Sequence, residues 1–269
     1  MANTLTSNSF KAALRQAEPQ IGLWLAMADP YSAEICAGSG FDWLLLDGEH
    51  SPLDLRTMLA QLQSVAPYPV HAVLRPPTGD PVLIKQMLDI GAQSLLIPMV
   101  ETAEQAAMLV RATRYPPHGF RGVGAGIARA ARWGRVGDYM ERANDEVCLL
   151  LQVETRAGLE NLEDIAATEG VDGVFLGAAD LSASLGYPGQ PQHPEVMAAM
   201  EKAITTILAH GKAPGLLATD ESVAQLHLRQ GARFVAVGVD ALLLVQATQN
   251  LARRFKPEGH VPQVEGSPY

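Results

Sequence analysis

Basic residues are scarce in this chain of 269 residues, which carries 20 Lys and Arg against 29 Asp and Glu and has a formal net charge of -9. Nucleic acids and anionic membranes select for basic surfaces, so the charge argues against both as main partners. Long apolar runs are absent too, since none approaches the ~20 residues that a membrane helix needs.

Cysteine is also rare. The two cysteines, Cys36 and Cys148, stand in apolar surroundings, which is typical of buried free thiols in a reducing compartment. The first ten residues are polar and lack the basic and apolar segments of a secretion signal. We therefore expect a cytoplasmic protein with free thiols, and a disulfide, although possible, has no support in the sequence.

Short apolar segments alternate with helical patterns along most of the chain. Eight of them predict strands, over residues 21–27, 41–46, 71–74, 94–98, 147–153, 173–176, 213–217 and 234–239. Near-continuous apolar strands separated by helices indicate a parallel sheet buried on both faces. Eight such units favour an α/β fold, a closed (β/α)8 TIM barrel, over residues 1–255. Residues 256–269 are predicted to be a loose tail.

Three segments between the strands carry specific predictions. A helix is predicted over residues 52–65, with Ser51 as its N-cap and Pro52 at its first position. A second helix is predicted over residues 159–168. The turn-rich segment 115–124 is either an active-site loop or part of an extra helical insert.

Ionisable and polar residues follow several of the predicted strands. Because the carboxyl ends of barrel strands meet at one face, residues far apart in sequence should converge there. Burying such groups is costly, which favours a functional site. These residues are Asp47, Glu49 and His50 after the second strand, Arg75 after the third, Gln152 and Glu154 at the fifth, and Asp180 after the sixth.

Glu154 and Asp180 follow consecutive strands and should be near neighbours. Two adjacent carboxylates repel each other unless a proton or a cation lies between them. A hard divalent ion suits them, because it takes oxygen ligands and leaves positions for water or substrate. The alternative is a structural salt bridge from one of them to Arg156.

His50 has two interpretations. Most lone histidines lie in surface loops without a catalytic role. The position of His50 at a strand end, three residues after Asp47, favours a general base that is oriented by a carboxylate. Glu49 has no direct metal role that the sequence supports, and it could act only through water or through a neighbouring side chain.

Lysine is absent from every predicted strand end. The five lysines are Lys11, Lys85, Lys202, Lys212 and Lys256, and Lys212 precedes a strand rather than following one. An enzyme that forms a Schiff base with a carbonyl substrate needs a lysine in its site. That mechanism is therefore disfavoured, and a metal ion together with Arg75 is expected to act as the electrophile.

Several motifs together resemble one family, the HpcH/HpaI aldolases, over about residues 9–255. The motifs include LLLDGEHSP, VLRPP, KQMLDIGAQSLLIPMV, QVETRAGLENL and GVDGVFLGAADLS. The resemblance implies a barrel of the phosphoenolpyruvate/pyruvate type and a class II, metal-dependent pyruvate aldolase. Such an enzyme cleaves 4-hydroxy-2-oxo acids, such as 4-hydroxy-2-oxoheptanedioate, to pyruvate and an aldehyde such as succinate semialdehyde, using Mg2+, Mn2+ or Co2+.

The resemblance also implies a metabolic setting and an assembly. The setting is the catabolism of aromatic compounds, and the assembly is a homohexamer, a dimer of trimers in which the last helix is exchanged between subunits. Asp89, in the LDIG motif, matches a carboxylate that raises the basicity of the histidine. Because Asp89 is predicted to lie near the bottom of its own barrel, it could do so only in the site of a neighbouring subunit.

Matching residue by residue, the resemblance assigns roles at the strand ends. Glu154 and Asp180 match metal ligands, His50 matches the base and Arg75 matches the residue that stabilises enolate charge. Substrate contacts are implied for Gln152 and Ala179. Independently of the resemblance, the small residues Gly177, Ala178 and Ala179 lead into a helix start and could offer backbone N–H groups to a carboxylate, so we count them and Asp180 among the substrate-binding residues. The family usually has proline where this chain has Ala178, so the loop is expected to be less preorganised.

Two alternatives to this function remain open. One is a related lyase that acts on sugar-derived 2-keto-3-deoxy acids or on acyl-CoA thioesters. Arg129, Arg132 and Arg135 could form a basic entrance for the phosphates of CoA, but a solvated helix face is the favoured interpretation of these arginines. The other is a non-catalytic barrel that binds 2-oxo acids.

Overall fold

A computed structural model describes residues 4–256, which form a closed barrel of eight parallel strands in chain order. Each strand begins and ends within two residues of its predicted segment, so the (β/α)8 barrel is confirmed. The strands are β1 (Gln20–Leu25), β2 (Trp43–Asp47), β3 (His71–Arg75), β4 (Ser94–Ile97), β5 (Cys148–Val153), β6 (Gly173–Leu176), β7 (Ala213–Leu217) and β8 (Phe234–Val239).

Helices surround the barrel and connect consecutive strands. Their order within the described residues is α1 (Ser9–Ala13), α2 (Pro30–Ala37), α3 (Leu55–Val65), α4 (Pro81–Asp89), α5 (Ala103–Thr113), α6 (Tyr139–Glu146), α7 (Arg156–Glu160), α8 (Leu162–Ala167), α9 (Ala178–Leu185), α10 (Pro194–Ala209), α11 (Glu221–Arg229) and α12 (Asp240–Arg253).

The predicted start of α3 was wrong by three residues. Asp54 is the N-cap, and its carboxylate accepts a hydrogen bond of 2.8 Å from the backbone N–H of Thr57. The Ser51 hydroxyl instead donates to the Asp47 carboxylate at 3.4 Å. Ser51 and Pro52 therefore belong to the turn that follows β2. The helix begins after Asp54 because Asp54 is the capping residue directly before the first residue of the helical apolar pattern, Leu55.

Two other predictions need correction. The segment predicted as one helix over residues 159–168 is divided at Asn161 into α7 and α8. Residues 115–124 contain no helix themselves, and they lead into a 3₁₀ turn (Ala125–Ile127) and α6, so they are the irregular start of an insert that is helical only in its later part. Because this segment leads into the amino end of β5, it is not an active-site loop of its own barrel.

Aromatic side chains fill the barrel interior from one end to the other. Phe10 on α1 lies against Trp43, with ring centroids 6.0 Å apart, and Trp43 lies 5.9 Å from Phe234. The contacts continue from Phe234 to Phe175 at 6.0 Å and from Phe175 to Trp24 at 5.6 Å. We call these five residues the aromatic column. Trp24 is its member nearest the carboxyl ends of the strands.

Glycines make room for the aromatic column. A Cβ atom at Gly215 would collide with the ring of Phe234, and one at Gly22 would collide with the indole of Trp43. The large rings therefore fit only because the facing positions on adjacent strands are glycines, as expected for a protein interior that is packed as densely as an organic crystal.

No helix in the described part of the chain is both long and apolar enough to cross a membrane. Cys36 and Cys148 are free thiols, as predicted. The predicted tail lies outside the described residues, apart from Lys256.

Candidate active site

A cavity of about 220 Å³ opens at the carboxyl ends of the strands. It is bounded below by the aromatic column through Trp24 and Phe175, and on one side by the start of α12 through Ala241 and Leu242. Most of the predicted site residues line it, namely Asp47, His50, Arg75, Gln152, Gly177, Ala178, Ala179 and Asp180.

Asp47 and Arg75 form a buried ion pair in the floor of this cavity. The register of β2 and β3 places the two residues opposite each other. Arg75 Nε lies 2.8 Å from Asp47 Oδ1, and Nη2 lies 2.8 Å from Oδ2. Burial alone would raise the pKa of Asp47, but its hydrogen bond and ion pair with Arg75 hold that pKa below the ordinary value.

Glu49 supplies the second carboxylate for Arg75. Its Oε2 lies 2.7 Å from Arg75 Nη1, and the same nitrogen lies 3.4 Å from Gln152 Oε1. Burial raises the pKa of Glu49, while the charge of Arg75 lowers it. The sequence supported no direct metal role for Glu49, and the structure shows that it is a second carboxylate in ion-pair contact with the guanidinium.

The predicted contact between the Asp47 carboxylate and the His50 imidazole is not present. Asp47 Oδ1 accepts from the backbone N–H groups of Glu49 at 3.0 Å and of His50 at 3.4 Å. The imidazole is 60% exposed, and its Nε2 lies 4.0 Å from Glu49 Oε2. Asp47 therefore fixes the backbone of this turn and the guanidinium of Arg75, whereas the imidazole faces the open side of the cavity.

Glu154 is a buried carboxylate without a cationic partner among the described residues. One oxygen accepts from the backbone N–H of Met99 at 2.9 Å, and the other accepts from the side-chain amide of Gln152. Burial, with a smaller contribution from the negative charges of Glu49 and Asp180, raises the pKa of Glu154 to about 7 against the opposing effect of its two hydrogen bonds. Arg156 instead binds Ser184 and Leu185 through its backbone and side chain, so it does not form the alternative salt bridge.

The start of α9 forms the wall of the cavity beside Glu154. Gly177 lies so close to this carboxylate that a Cβ atom there would be 2.5 Å from Glu154 Oε2. Ala178 is the first residue of α9, a position where proline is also accommodated. Alanine there provides a backbone N–H that proline would lack, and N–H groups at a helix start attract anions.

The donor set fits a hard divalent ion with few protein ligands. Each oxygen of Glu154 has one hydrogen-bond partner and so retains a lone pair, and Asp180 has an exposed carboxylate at the cavity wall. No three His, Cys, Asp or Glu side chains within residues 4–256 converge as a metal cluster. An ion here would take its remaining ligands from water and substrate, which is usual for Mg2+.

Asp89 and the arginines of the insert lie at the opposite end of the barrel. Asp89 is the last residue of α4, and its carboxylate lies 2.7 Å from Nη2 of buried Arg121. Arg129 and Arg132 line a separate cavity there, of about 560 Å³. Within one chain, Asp89 therefore does not reach His50, and these arginines do not form an entrance to the site.

Comparison with known proteins identifies the family. A family model described as HpcH/HpaI aldolase/citrate lyase matches residues 20–247. The chain belongs to this family. A hydroxypyruvate/pyruvate aldolase from Deinococcus radiodurans is 64% identical over 250 residues, which cover 93% of this chain and 90% of that protein. A 4-hydroxy-2-oxo-heptane-1,7-dioate aldolase from Escherichia coli is 59% identical over 248 residues, which cover 92% of this chain and 95% of that protein.

A solved structure supports the same family assignment. A crystal structure of an HpcH/HpaI aldolase/citrate lyase family protein from Burkholderia cenocepacia has a TM-score of 0.89 and 41% identity, covering 92% of this chain and 99% of that one. The resemblance inferred from the motifs is thus confirmed, and this family member is a carbon–carbon lyase.

The Asp47–Arg75 ion pair predicts a pH-dependent stability. Asp47→Asn removes the charge without changing the shape, and we expect it to destabilise the metal-free fold by about 3 kcal/mol at pH 7. That value is the lower end for breaking a buried pair, because Glu49 remains beside the guanidinium. Because folding lowers the pKa of Asp47, its ionised carboxylate stabilises the fold at any pH above the ordinary pKa of 3.8. This stabilisation is lost as the pH falls through the pKa of Asp47 in the folded state.

Urea denaturation of both proteins across this pH range measures the effect. The difference in unfolding free energy should shrink as the pH falls below 3.8, because the carboxyl group is protonated first in the unfolded chain and in the folded protein only at lower pH. A difference that stays constant with pH would show that Asp47 does not stabilise the fold through its charge.

Proposed function

We propose that this aldolase cleaves 4-hydroxy-2-oxo acids by a divalent-metal-dependent retro-aldol reaction that yields pyruvate and an aldehyde. The observation that carries the proposal is the composition of the cavity. The fixed guanidinium of Arg75 and the carboxylate of Asp180 line the cavity, and the buried carboxylate of Glu154 lies directly behind the lining residues Gly177 and Gln152. Neither Glu154 nor Asp180 has a cationic partner within residues 4–256. All five lysines lie within the described residues and none lines the cavity, which disfavours a Schiff base.

The names of the relatives support the substrate class. The relative from Escherichia coli is named for 4-hydroxy-2-oxo-heptane-1,7-dioate, which makes succinate semialdehyde the aldehyde product. The relative from Deinococcus radiodurans is named for hydroxypyruvate and pyruvate, which favours hydroxypyruvate as a second 2-oxo acid for the same site. Sugar-derived 2-keto-3-deoxy acids contain the same 4-hydroxy-2-oxo unit, so they are included in the class.

Glu154 and Asp180 would hold the ion, which is Mg2+, Mn2+ or Co2+ in this proposal. When bound, a divalent ion supplies positive charge that polarises the 2-oxo group and stabilises the enolate. The N–H groups at the start of α9, from Ala178 and Ala179, bind the substrate carboxylate, and Gln152 orients the 2-oxo end.

His50 and Arg75 act on the reacting atoms. His50 takes the proton of the 4-hydroxyl group, and the C3–C4 bond breaks as the hydroxyl carbon becomes the aldehyde carbonyl. The electron pair of that bond moves into the 2-oxo group and forms the enolate of pyruvate. Arg75 stabilises its negative charge, as preorganised donors do in many enzymes. Protonation at C3 then gives pyruvate, and the reverse sequence forms a carbon–carbon bond.

Removal of the metal tests the proposal. We expect that chelation with EDTA abolishes pyruvate release from 4-hydroxy-2-oxoheptanedioate, followed with coupled lactate dehydrogenase, and that Mg2+, Mn2+ or Co2+ restores it. Glu154→Gln should lower kcat/KM more than about 100-fold, because even outer partners of metal ligands contribute 10–100-fold. Calorimetry should show weakened Mn2+ binding.

Glu160→Gln is the matched control, since Glu160 is an exposed residue of α7 outside the cavity. It should retain wild-type activity and Mn2+ affinity. Cleavage that persists in EDTA would contradict metal dependence. A chain that binds 2-oxo acids but releases no pyruvate with any of the three ions would be a binding barrel.

His50→Ala tests the base. We expect kcat to fall by about 10²–10⁴-fold, the usual contribution of general acid–base catalysis. The unfolding midpoint should not change, because the side chain is 60% exposed. His118→Ala, at an exposed loop position, should have normal activity. Near-wild-type cleavage by folded His50→Ala would remove His50 from the mechanism.

We also propose that the enzyme is a homohexamer, a dimer of trimers that exchanges α12, in which Asp89 of a neighbouring subunit tunes His50. The outer face of α12 supports an assembly, because apolar side chains are exposed on it in the single chain. They include Leu243 at 48%, Leu244 at 50% and Leu251 at 56% exposure. A cytoplasmic location stays a prediction.

Sedimentation velocity tests the assembly. Wild type should sediment with six times the mass of the chain, whereas Leu244→Glu/Leu251→Glu should give smaller species with reduced activity. Gln246→Glu adds charge to the same helix at an exposed polar position and should leave the hexamer intact. A wild-type monomer would contradict the proposal.

A further inference from the structure

Trp24 connects the aromatic column to the ion pair in the cavity floor. It lies near the end of β1, is 5% exposed, and lines the cavity. A buried tryptophan usually contributes packing area and one hydrogen bond. In Trp24, both the ring face and the indole N–H contact the Asp47–Arg75 ion pair.

The indole contacts both members of the ion pair. Its Nε1–H donates to Asp47 Oδ2 at 3.1 Å. Its ring face lies beneath the guanidinium of Arg75, whose Cζ is 4.7 Å from the ring centroid. The hydrogen bond fixes the carboxylate that holds two nitrogens of Arg75, and the cation–π contact limits tilting of the guanidinium plane.

The indole is itself held in place. Phe175 lies 5.6 Å from it, on the side of the aromatic column, and the column extends through Phe234 to Trp43. Since packed rings in a dense interior do not move independently, Phe175 restrains the indole that lies under the guanidinium. Electrostatic stabilisation depends on such preorganisation, and small displacements of a charged group are costly to the rate.

We propose that Trp24 is a positioning residue for the aldolase reaction, one that aligns Arg75 with the enolate through Asp47 and through its ring face. This role rests on the proposed function. It assigns Trp24 an effect on enolate formation but none on the carboxylates that would hold the metal.

Trp24→Phe separates positioning from packing. Phenylalanine keeps a ring under Arg75 and against Phe175, but it lacks the donor to Asp47. The readout is the exchange of the pyruvate methyl protons for deuterium, followed by NMR in D2O with saturating Mn2+. We expect kcat for exchange to fall about tenfold, while KM for pyruvate and the calorimetric affinity for Mn2+ stay within twofold. Trp24→Leu, which also removes the ring, should be slower still.

Trp43→Phe is the matched control. Trp43 belongs to the same column, is fully buried, and donates an indole hydrogen bond of the same 3.1 Å length to the backbone oxygen of Gln20, away from the site. It should lower the unfolding midpoint about as much as Trp24→Phe does, but its exchange rate should stay within twofold of wild type well below that midpoint.

The outcomes are distinguishable. A wild-type enzyme without metal-dependent exchange or cleavage would overturn the proposed function and, with it, this role. An active wild type whose Trp24→Phe variant exchanges within twofold of it would overturn the role alone. So would an equal loss in Trp43→Phe, or a loss in Trp24→Phe that appears in KM or in Mn2+ affinity rather than in kcat.

Discussion

The buried pair of Asp47 and Arg75 is the interaction on which the site depends. Arg75 is 4% exposed, and a charge so buried is tolerated only where its donors are paired. Its neighbours in the site are acidic, because Asp47, Glu49, Glu154 and Asp180 all carry carboxylates. One arginine cannot neutralise four acids. The excess of negative charge explains why burial and repulsion together raise the pKa of Glu154, and it gives a divalent cation an electrostatic reason to bind beside this residue.

The barrel makes this pair possible through register and packing. Parallel pairing of β2 with β3 sets Asp47 opposite Arg75, so the contact follows from the strand alignment rather than from a flexible loop. Beneath it, the aromatic column needs Gly22 and Gly215 to leave space for rings from neighbouring strands. The ion pair therefore stands on a rigid floor, whereas His50 extends from a turn into the open side of the cavity. A fixed Arg75 and an exposed His50 are consistent with the roles proposed for them, stabilisation of charge and acceptance of a proton.

The barrel could be predicted from the sequence because its signals are local and repeated. Apolar segments of strand length alternate with helical patterns, and helix caps such as Asp29 and Thr102 precede their helices. The partner of His50 could not be predicted in the same way. A spacing of three residues suggested a contact with Asp47, but the carboxylate accepts bonds from the intervening backbone, and the imidazole turns away. Trp24 was missed for a related reason, since its hydrogen bond to Asp47 spans 23 residues.

The exposure of His50 connects the site to the proposed assembly. The imidazole of His50 is 60% exposed, so the proposed base would work beside bulk water, although aldol chemistry benefits when water is excluded from the enolate. The open cavity is bordered by the start of α12, where the Asp240 carboxylate accepts from the backbone N–H of Ala26 at 2.8 Å and so ties the helix to the end of β1. The same helix presents an apolar outer face. A neighbouring subunit packed against that face would lie close to the mouth of the cavity, so burial of apolar surface and enclosure of His50 would be achieved by one contact.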